Sequence, residues 1–173
     1  MPTLEARTTV YREPEVVFDA LLDLRRYEAY SDHLDRVRRQ GDGGVGTEYD
    51  LRFEWWLVGY TVRSRVTAIE RPERIDFEVT SGIRADGSWH VEPVDTAPPE
   101  AGDGPATRVR FEVTYDPDSV AGSAVNLPSL MSLSWVVDRV APMVEREARR
   151  VVERVVADLE GEERAVDLEV AVR

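Results

Sequence analysis

Between Asp35 and Tyr115 the chain carries one period-two stretch after another, and the connections between them hold no helical pattern. Alternation of apolar and polar side chains predicts strands at Asp35–Arg39, Thr47–Trp56, Tyr60–Arg71, Arg74–Ser81, Ser88–Val94 and Thr107–Tyr115, each bounded by glycine, proline or aspartate. Parallel neighbours need a crossover of a dozen or more residues, usually helical, so strands joined this closely pair antiparallel as a meander. The longest connection, Asp95–Ala106, contains Pro98, Pro99, Gly102, Gly104 and Pro105 and almost nothing apolar. It reads as a long hairpin loop, because apolar alternation resumes directly after it.

The flanks have other periods. Thr3–Arg12 alternates as a strand, with Leu4, Ala6, Thr8 and Val10 on one side. Proline and acids at Glu13-Pro14-Glu15 suit a first helical turn, and a helix is expected over Pro14–Leu24, followed by a short helical stretch over Arg26–His33. The last third, from Pro128 to Gly161, is helical in pattern, and as one rod it would reach roughly 50 Å. Pro142 is expected to break it into Leu130–Val140 and Pro142–Leu159, the latter with an apolar stripe of Val144, Ala148, Val151, Val152, Val155 and Leu159. From Ala165 the chain alternates again through Val166, Leu168, Val170 and Val172, so the tail is expected to add a strand to a sheet edge, its own or that of a second copy in a two-fold dimer. The expected class is α+β: about seven antiparallel strands, two short helices after the first strand and a long C-terminal helix, with one domain over 1–160 and a strand-like tail over 161–173.

Composition narrows the chemistry. The chain has 173 residues, of which 42% are hydrophobic, and this supports one core. It has no cysteine and only His33 and His90, so neither a thiolate nucleophile nor a histidine-rich zinc site can be built, and no metal or cofactor is expected. All 22 basic residues are arginine, against 34 acids, for a net charge of −12. Arginine without lysine under such an acid excess suits a protein adapted to molar salt, where the Debye length is only ~3 Å; a GC-rich codon bias gives the same skew. The charge disfavours nucleic acid unless arginines collect on one face, and in the sequence they do not cluster. No apolar run is long enough for a membrane span and the first residues lack a signal-peptide pattern, so a cytoplasmic location is expected.

Gly41-Asp42-Gly43-Gly44-Val45-Gly46 satisfies G-x-G-x-x-G, but a strand pattern follows it where a dinucleotide site needs a helix N-terminus, so it reads as a hairpin loop. No nucleophile elbow, P-loop, zinc-protease or EF-hand pattern occurs. His90, between Trp89 and Val91, alternates to the solvent side. The covered face is more informative. It collects Tyr49, Leu51, Phe53 and Trp55, then Tyr60, Val62, Ser64 and Val66, then Ile75, Phe77 and Val79, then Trp89 and Val91, and finally Val109, Phe111, Val113 and Tyr115. Polar tips on an aromatic wall can orient a small ligand, whereas plain core packing would satisfy the same tips by backbone or water. Met131 and Trp135 are the candidates from the helical side.

Glu13-Pro14-Glu15-Val16-Val17-Phe18-Asp19-Ala20-Leu21-Leu22-Asp23-Leu24 with Arg26-Tyr27, then Ile75-Asp76-Phe77, Ser81-Gly82 and Gly87-Ser88-Trp89, and Thr107 to Tyr115 as a last strand, resemble the START-like superfamily. Within it they are similar to the branch of polyketide cyclases/dehydratases and coenzyme Q-binding proteins, over roughly Leu4–Leu159. The resemblance implies a helix-grip fold, a curved sheet wrapped around the terminal helix with a cavity between them. It implies binding of a hydrophobic or lipid-like molecule of quinone, isoprenoid or polyketide type, held between the sheet and Leu130–Val151. The alternative is a cyclase/dehydratase acting on a poly-carbonyl substrate in the same cavity. No catalytic motif is shared across the superfamily, so no catalytic residue is assigned. Arg63 and Arg65 alternate to the outside, away from such a cavity.

Overall fold

The computed structural model describes residues 1–55, 58–95, 98–119, 125–126 and 133–173. Strand β1 (Thr3–Val10) is followed by helix α1 (Pro14–Leu22) and a single 3-10 segment, Leu24–Ala29. Strands β2 (Leu34–Gln40), β3 (Glu48–Trp55), β4 (Val58–Glu70), β5 (Arg74–Ser81), β6 (Arg84–Pro93) and β7 (Thr107–Asp116) form the meander. The two-residue β8 (Val125–Asn126), helix α2 (Leu133–Glu160) and β9 (Glu169–Val172) complete the chain. The sheet is ordered β2-β3-β4-β5-β6-β7-β1-β9, with β8 pairing β4 off that path. β1 closes on β7, with Leu4 opposite Val113 and Val10 opposite Thr107, so the first strand completes the wall begun by the meander.

Two helical expectations are corrected. The segment after α1 is a 3-10 helix ending at Ala29, because Asp23 caps it by accepting from the Arg25 amide, and the chain then extends so that Leu34 starts β2. The terminal helix is not split: α2 is continuous over 28 residues, roughly 42 Å, with Pro142 inside it. A proline deletes one backbone donor but does not end a helix whose later turns are held by packing. Those turns are held firmly, since Val156 and Leu159 are buried in the core and Val152 and Val155 pack against it. Ala148, expected in the stripe, is exposed, and Glu147 is buried in its stead.

The core gathers at one end of the sheet. Val17, Phe18, Ala20 and Leu21 of α1 meet Val10, Val91 and Val109 of the sheet and Val156 and Leu159 of α2. Polar contacts close that end: Arg12 donates to the Leu159 carbonyl, and the buried Glu160 accepts from the Tyr11 amide at 2.8 Å and pairs with Arg164 at 2.7 Å. The tail joins the sheet of its own chain: β9 pairs β1, Val170 opposite Ala6 and Val172 opposite Leu4. The glycine motif is the β2–β3 hairpin loop, with Gly41, Gly43 and Gly46 all at positive φ. Gly41 must be glycine, because a Cβ there would lie 2.8 Å from the Thr47 hydroxyl.

Candidate ligand-binding face

Residues directly opposite across an antiparallel pair project to the same side, so the register defines the inner face. Across the sheet, Tyr49 stands opposite Ser64 and Ser64 opposite Val79. Phe53 faces Tyr60, and Leu51 faces Val62. Phe77 faces Gly87 and Gly87 faces Val113, while Trp89 faces Phe111. Trp55, Val91, Val109 and Tyr115 share this side. The outer side carries Arg63 and Arg65, facing Asp50 and Glu78, and His90 beside Arg74 and Arg110.

Along the inner face, burial divides the residues. Tyr49 and Val91 lie in the packed core, each 1% exposed, and the Tyr49 hydroxyl donates to the Leu22 carbonyl at 3.2 Å. For these two, core packing with a satisfied tip describes the placement. Ser64 and Trp55 are also buried. Leu51, Phe53 and Trp89 are half-buried and lean on the core, whereas Tyr60, Val62, Phe77, Val79, Phe111, Val113 and Tyr115 are half-buried and stand outside the core cluster. Met131 lies outside the described residues, and Trp135 is placed only as a position of α2.

The half-buried stretch has an aromatic floor. Phe77 stacks on Phe111 with ring centroids 5.9 Å apart and planes 7° apart, and Trp89 tilts against Phe111 at 4.5 Å. Gly87 makes this possible. It lies between Phe77 and Val113 on the central strand, where a Cβ would come within 2.5 Å of the Glu112 carbonyl oxygen and 2.7 Å of the Phe77 ring. The missing side chain lets the Phe77 ring cross the strand towards Phe111. The hydroxyls of Tyr60 and Tyr115 and the Trp89 indole nitrogen make no hydrogen bond to another described residue. Burial pushes the Tyr60 hydroxyl above its ordinary value, so it stays protonated and can donate throughout the neutral range.

A polar group joins α2 to the segment that precedes β2. The carboxylate of Glu147, on α2 and 6% exposed, accepts from the Ser31 hydroxyl at 3.2 Å and the Asp32 amide at 2.9 Å. His33 Nε2 lies 3.9 Å from the same carboxylate, His33 Nδ1 is 3.1 Å from the Glu54 carbonyl, and the ring stacks on Trp55 at 4.0 Å. Further along α2, Arg154 donates to the Tyr30 carbonyl and pairs with Asp32, whose carboxyl it holds below the ordinary range. Asp158 accepts from Tyr30. Sequence reading missed this group. Its signal was an acid four residues before Val151 on the same helical face, at a place where the stripe required an apolar side chain.

A curved antiparallel sheet with two short helical elements after β1 and a long C-terminal helix is the helix-grip fold of the START-like superfamily. The family model described as polyketide cyclase / dehydrase and lipid transport matches residues 1–160, and the chain belongs to that family. Among solved structures it is similar to Ara h 8.0201, at 16% identity and a TM-score of 0.62, covering 92% of this chain and 98% of that one. It is similar to norcoclaurine synthase from Thalictrum flavum in complex with dopamine and hydroxybenzaldehyde, at 13% identity and a TM-score of 0.58, covering 95% and 90%. The di-domain ARO/CYC StfQ from the steffimycin biosynthetic pathway is matched at 11% identity and a TM-score of 0.59, over 92% of this chain and half of that one. At these identities the likeness is one of fold. Comparison with proteins of curated function returns no match. No helix among the described residues is long and apolar enough to cross a membrane.

Proposed function

We propose that this protein binds a hydrophobic or amphipathic small molecule, of quinone, isoprenoid or polyketide type, between the aromatic floor and α2. The supporting observation is the half-burial of Phe77, Phe111 and Val113 outside the core cluster, beside polar tips with no partner among the described residues. Covering such a wall with a ligand contributes roughly 25 cal/mol per Å² of apolar area, and the Tyr60 and Tyr115 hydroxyls and the Trp89 indole fix its orientation. Native mass spectrometry of the protein purified from its own host, followed by organic extraction, tests this. The expected result is a bound apolar molecule that Phe111→Ala releases; a ligand-free protein that also takes up none of the extracted lipids would sink the proposal.

A second reading, a cyclase or dehydratase acting on a poly-carbonyl substrate, is favoured by the Glu147–His33 pair beside Trp55. An imidazole between a carboxylate and a carbonyl can take a proton from a carbon next to a carbonyl group, and Tyr60 can donate to the developing oxyanion. With a poly-carbonyl substrate in hand, His33→Asn should lower turnover by at least roughly a hundredfold. Binding that survives with no turnover in the parent protein removes this reading. We also propose that the surface is adapted to salt: melting temperature should climb from low to molar potassium chloride as repulsion among the acids is screened, and a flat or falling curve counts against it.

A further inference from the structure

The outer face of β2, β3 and β4 departs from the rest of the sheet at Arg36 and Arg38, whereas Arg52 and Arg63 keep acids beside them, Glu54 at 3.9 Å and Asp50 at 2.7 Å. Elsewhere on that face an arginine stands beside an acid: Arg65 pairs with Glu78 at 2.7 Å, Arg74 with Asp76 at 2.7 Å, Arg84 with Asp116 at 3.2 Å and Arg110 with Glu112 at 3.5 Å. Here two rows run across the strands, Arg36–Arg52–Thr61 and Arg38–Asp50–Arg63–Ser81. They line a cleft of about 320 Å³ containing four guanidinium groups and one carboxylate. Asp50 is taken by Arg63, at 2.7 and 3.2 Å, and Arg52 donates to the Thr61 hydroxyl at 3.1 Å. Arg36 and Arg38 are exposed and enter no ion pair among the described residues. Like charges directly opposite across a strand pair repel, as Arg36 and Arg52 do, and a bound anion offsets that repulsion. In a chain with 34 acids and a net charge of −12, such an arrangement runs against the composition.

We infer that this cleft is a second binding site, on the opposite side of the sheet from the proposed ligand cavity, for a compact polyanion bearing a phosphate group. Guanidinium forks from Arg36, Arg38 and Arg52 match phosphate oxygens bidentately, and the Thr61 and Ser81 hydroxyls line the same cleft. A compact group fits better than an extended polyanion, because Glu48 and Glu54 flank the arginines on β3 and the rest of the chain is acidic. The phosphate can come from a free small molecule or from the headgroup of a lipid, and the two sources separate in solution.

The test is calorimetric titration of the full chain with inorganic pyrophosphate, at the lowest potassium chloride concentration that still gives a cooperative melt. The expected result is saturable binding at one site, weakened by at least roughly tenfold in Arg36→Gln/Arg38→Gln and retained in Arg65→Gln, whose arginine lies on the same face outside the cleft. The double variant changes exposed side chains only, and an unchanged melting temperature confirms its fold. Co-sedimentation with phosphatidate-containing vesicles then assigns the source: capture lost in the double variant means a lipid headgroup, and pyrophosphate binding without capture means a free ligand. No pyrophosphate binding, equal binding by the double variant, equal loss in Arg65→Gln, or tighter arginine-dependent binding of a long oligonucleotide would each overturn the inference. None of these outcomes bears on the inner cavity, whose probe binding the double variant should leave intact.

Discussion

At one end of the inner sheet face Phe18 is fully buried, with Val17, Val91 and Val156 at 2% exposure or less; further along the same strands Phe77, Phe111 and Val113 stay half-buried. The residue types are alike, so hydrophobicity does not separate the two ends. Among the described residues, what separates them is the cover. The buried end receives α1 and the last turns of α2 in one core cluster, and the Tyr11–Arg12 corner held by contacts to Leu159, Glu160 and Arg164. The half-buried end carries tyrosine and tryptophan tips without a partner among the described residues and an aromatic floor that depends on one missing side chain, at Gly87. On the function proposed above, one end serves stability and the other receives a guest, and substitutions at the two ends should fail in different ways.

The largest effect is expected at the closed end. Phe18→Ala should cost about 3–5 kcal/mol in urea unfolding, and Phe111→Ala less than about 2 kcal/mol while removing apolar-probe binding. Equal destabilisation by the two would erase the distinction between the ends. Gly87→Val should follow, at about 1–3 kcal/mol, with loss of the Phe77–Phe111 stack and of probe binding, because the new side chain takes the space of the Phe77 ring. Stability lost with probe binding kept would show that Gly87 serves packing alone.

Deleting Ala165–Arg173 should be milder, roughly 1–2 kcal/mol, since it exposes the site of the buried Val166 and strips Glu5 of its partner Arg173. A melting temperature equal to the parent's would mean that β9 adds nothing to β1. A shift from dimer to monomer in light scattering would show that the tail also joins two copies. The smallest effect concerns His90 on the outer face. Burial first, then Arg110 and Arg74, hold it below its ordinary value, so the unfolded chain takes up this proton at a higher pH than the folded one. Its contribution is fully present above about pH 6.5 and is lost as the pH falls through the lower folded value. His90→Gln should flatten the fall in melting temperature over that window, and an unaltered slope would show that His90 titrates alike in both states.

Alternation carried most of the sheet, because a strand of period two assigns each side chain to a face once one register is set. Arg74–Ser81 coincides with β5, and the inner positions of β3 to β7 share one face as their spacing requires. Local pattern failed where tertiary contacts decide. Pro142 read as a break because the packing of Val156 and Leu159 that sustains α2 is long-range. Glu147 showed in the sequence only as an acid on the apolar face of a helix, and its partners Ser31 and Asp32 were hidden because they lie more than a hundred positions away. Tyr49 and Tyr60 are indistinguishable in period, yet one tip meets the Leu22 carbonyl and the other meets no described partner. The arginine cleft was likewise hidden, because Arg36, Arg38, Arg52 and Arg63 are dispersed along the chain and meet only through strand pairing.

The direct test of the guest end is titration of the protein with a neutral naphthylamine dye, which the outer arginines cannot hold. Saturable binding of one dye per chain is expected, weakened by roughly tenfold or more in Phe111→Ala and Trp89→Ala and untouched in Arg36→Gln/Arg38→Gln. Dye binding that is absent in the folded parent, or equally strong after both aromatic substitutions, would contradict a ligand cavity on this face.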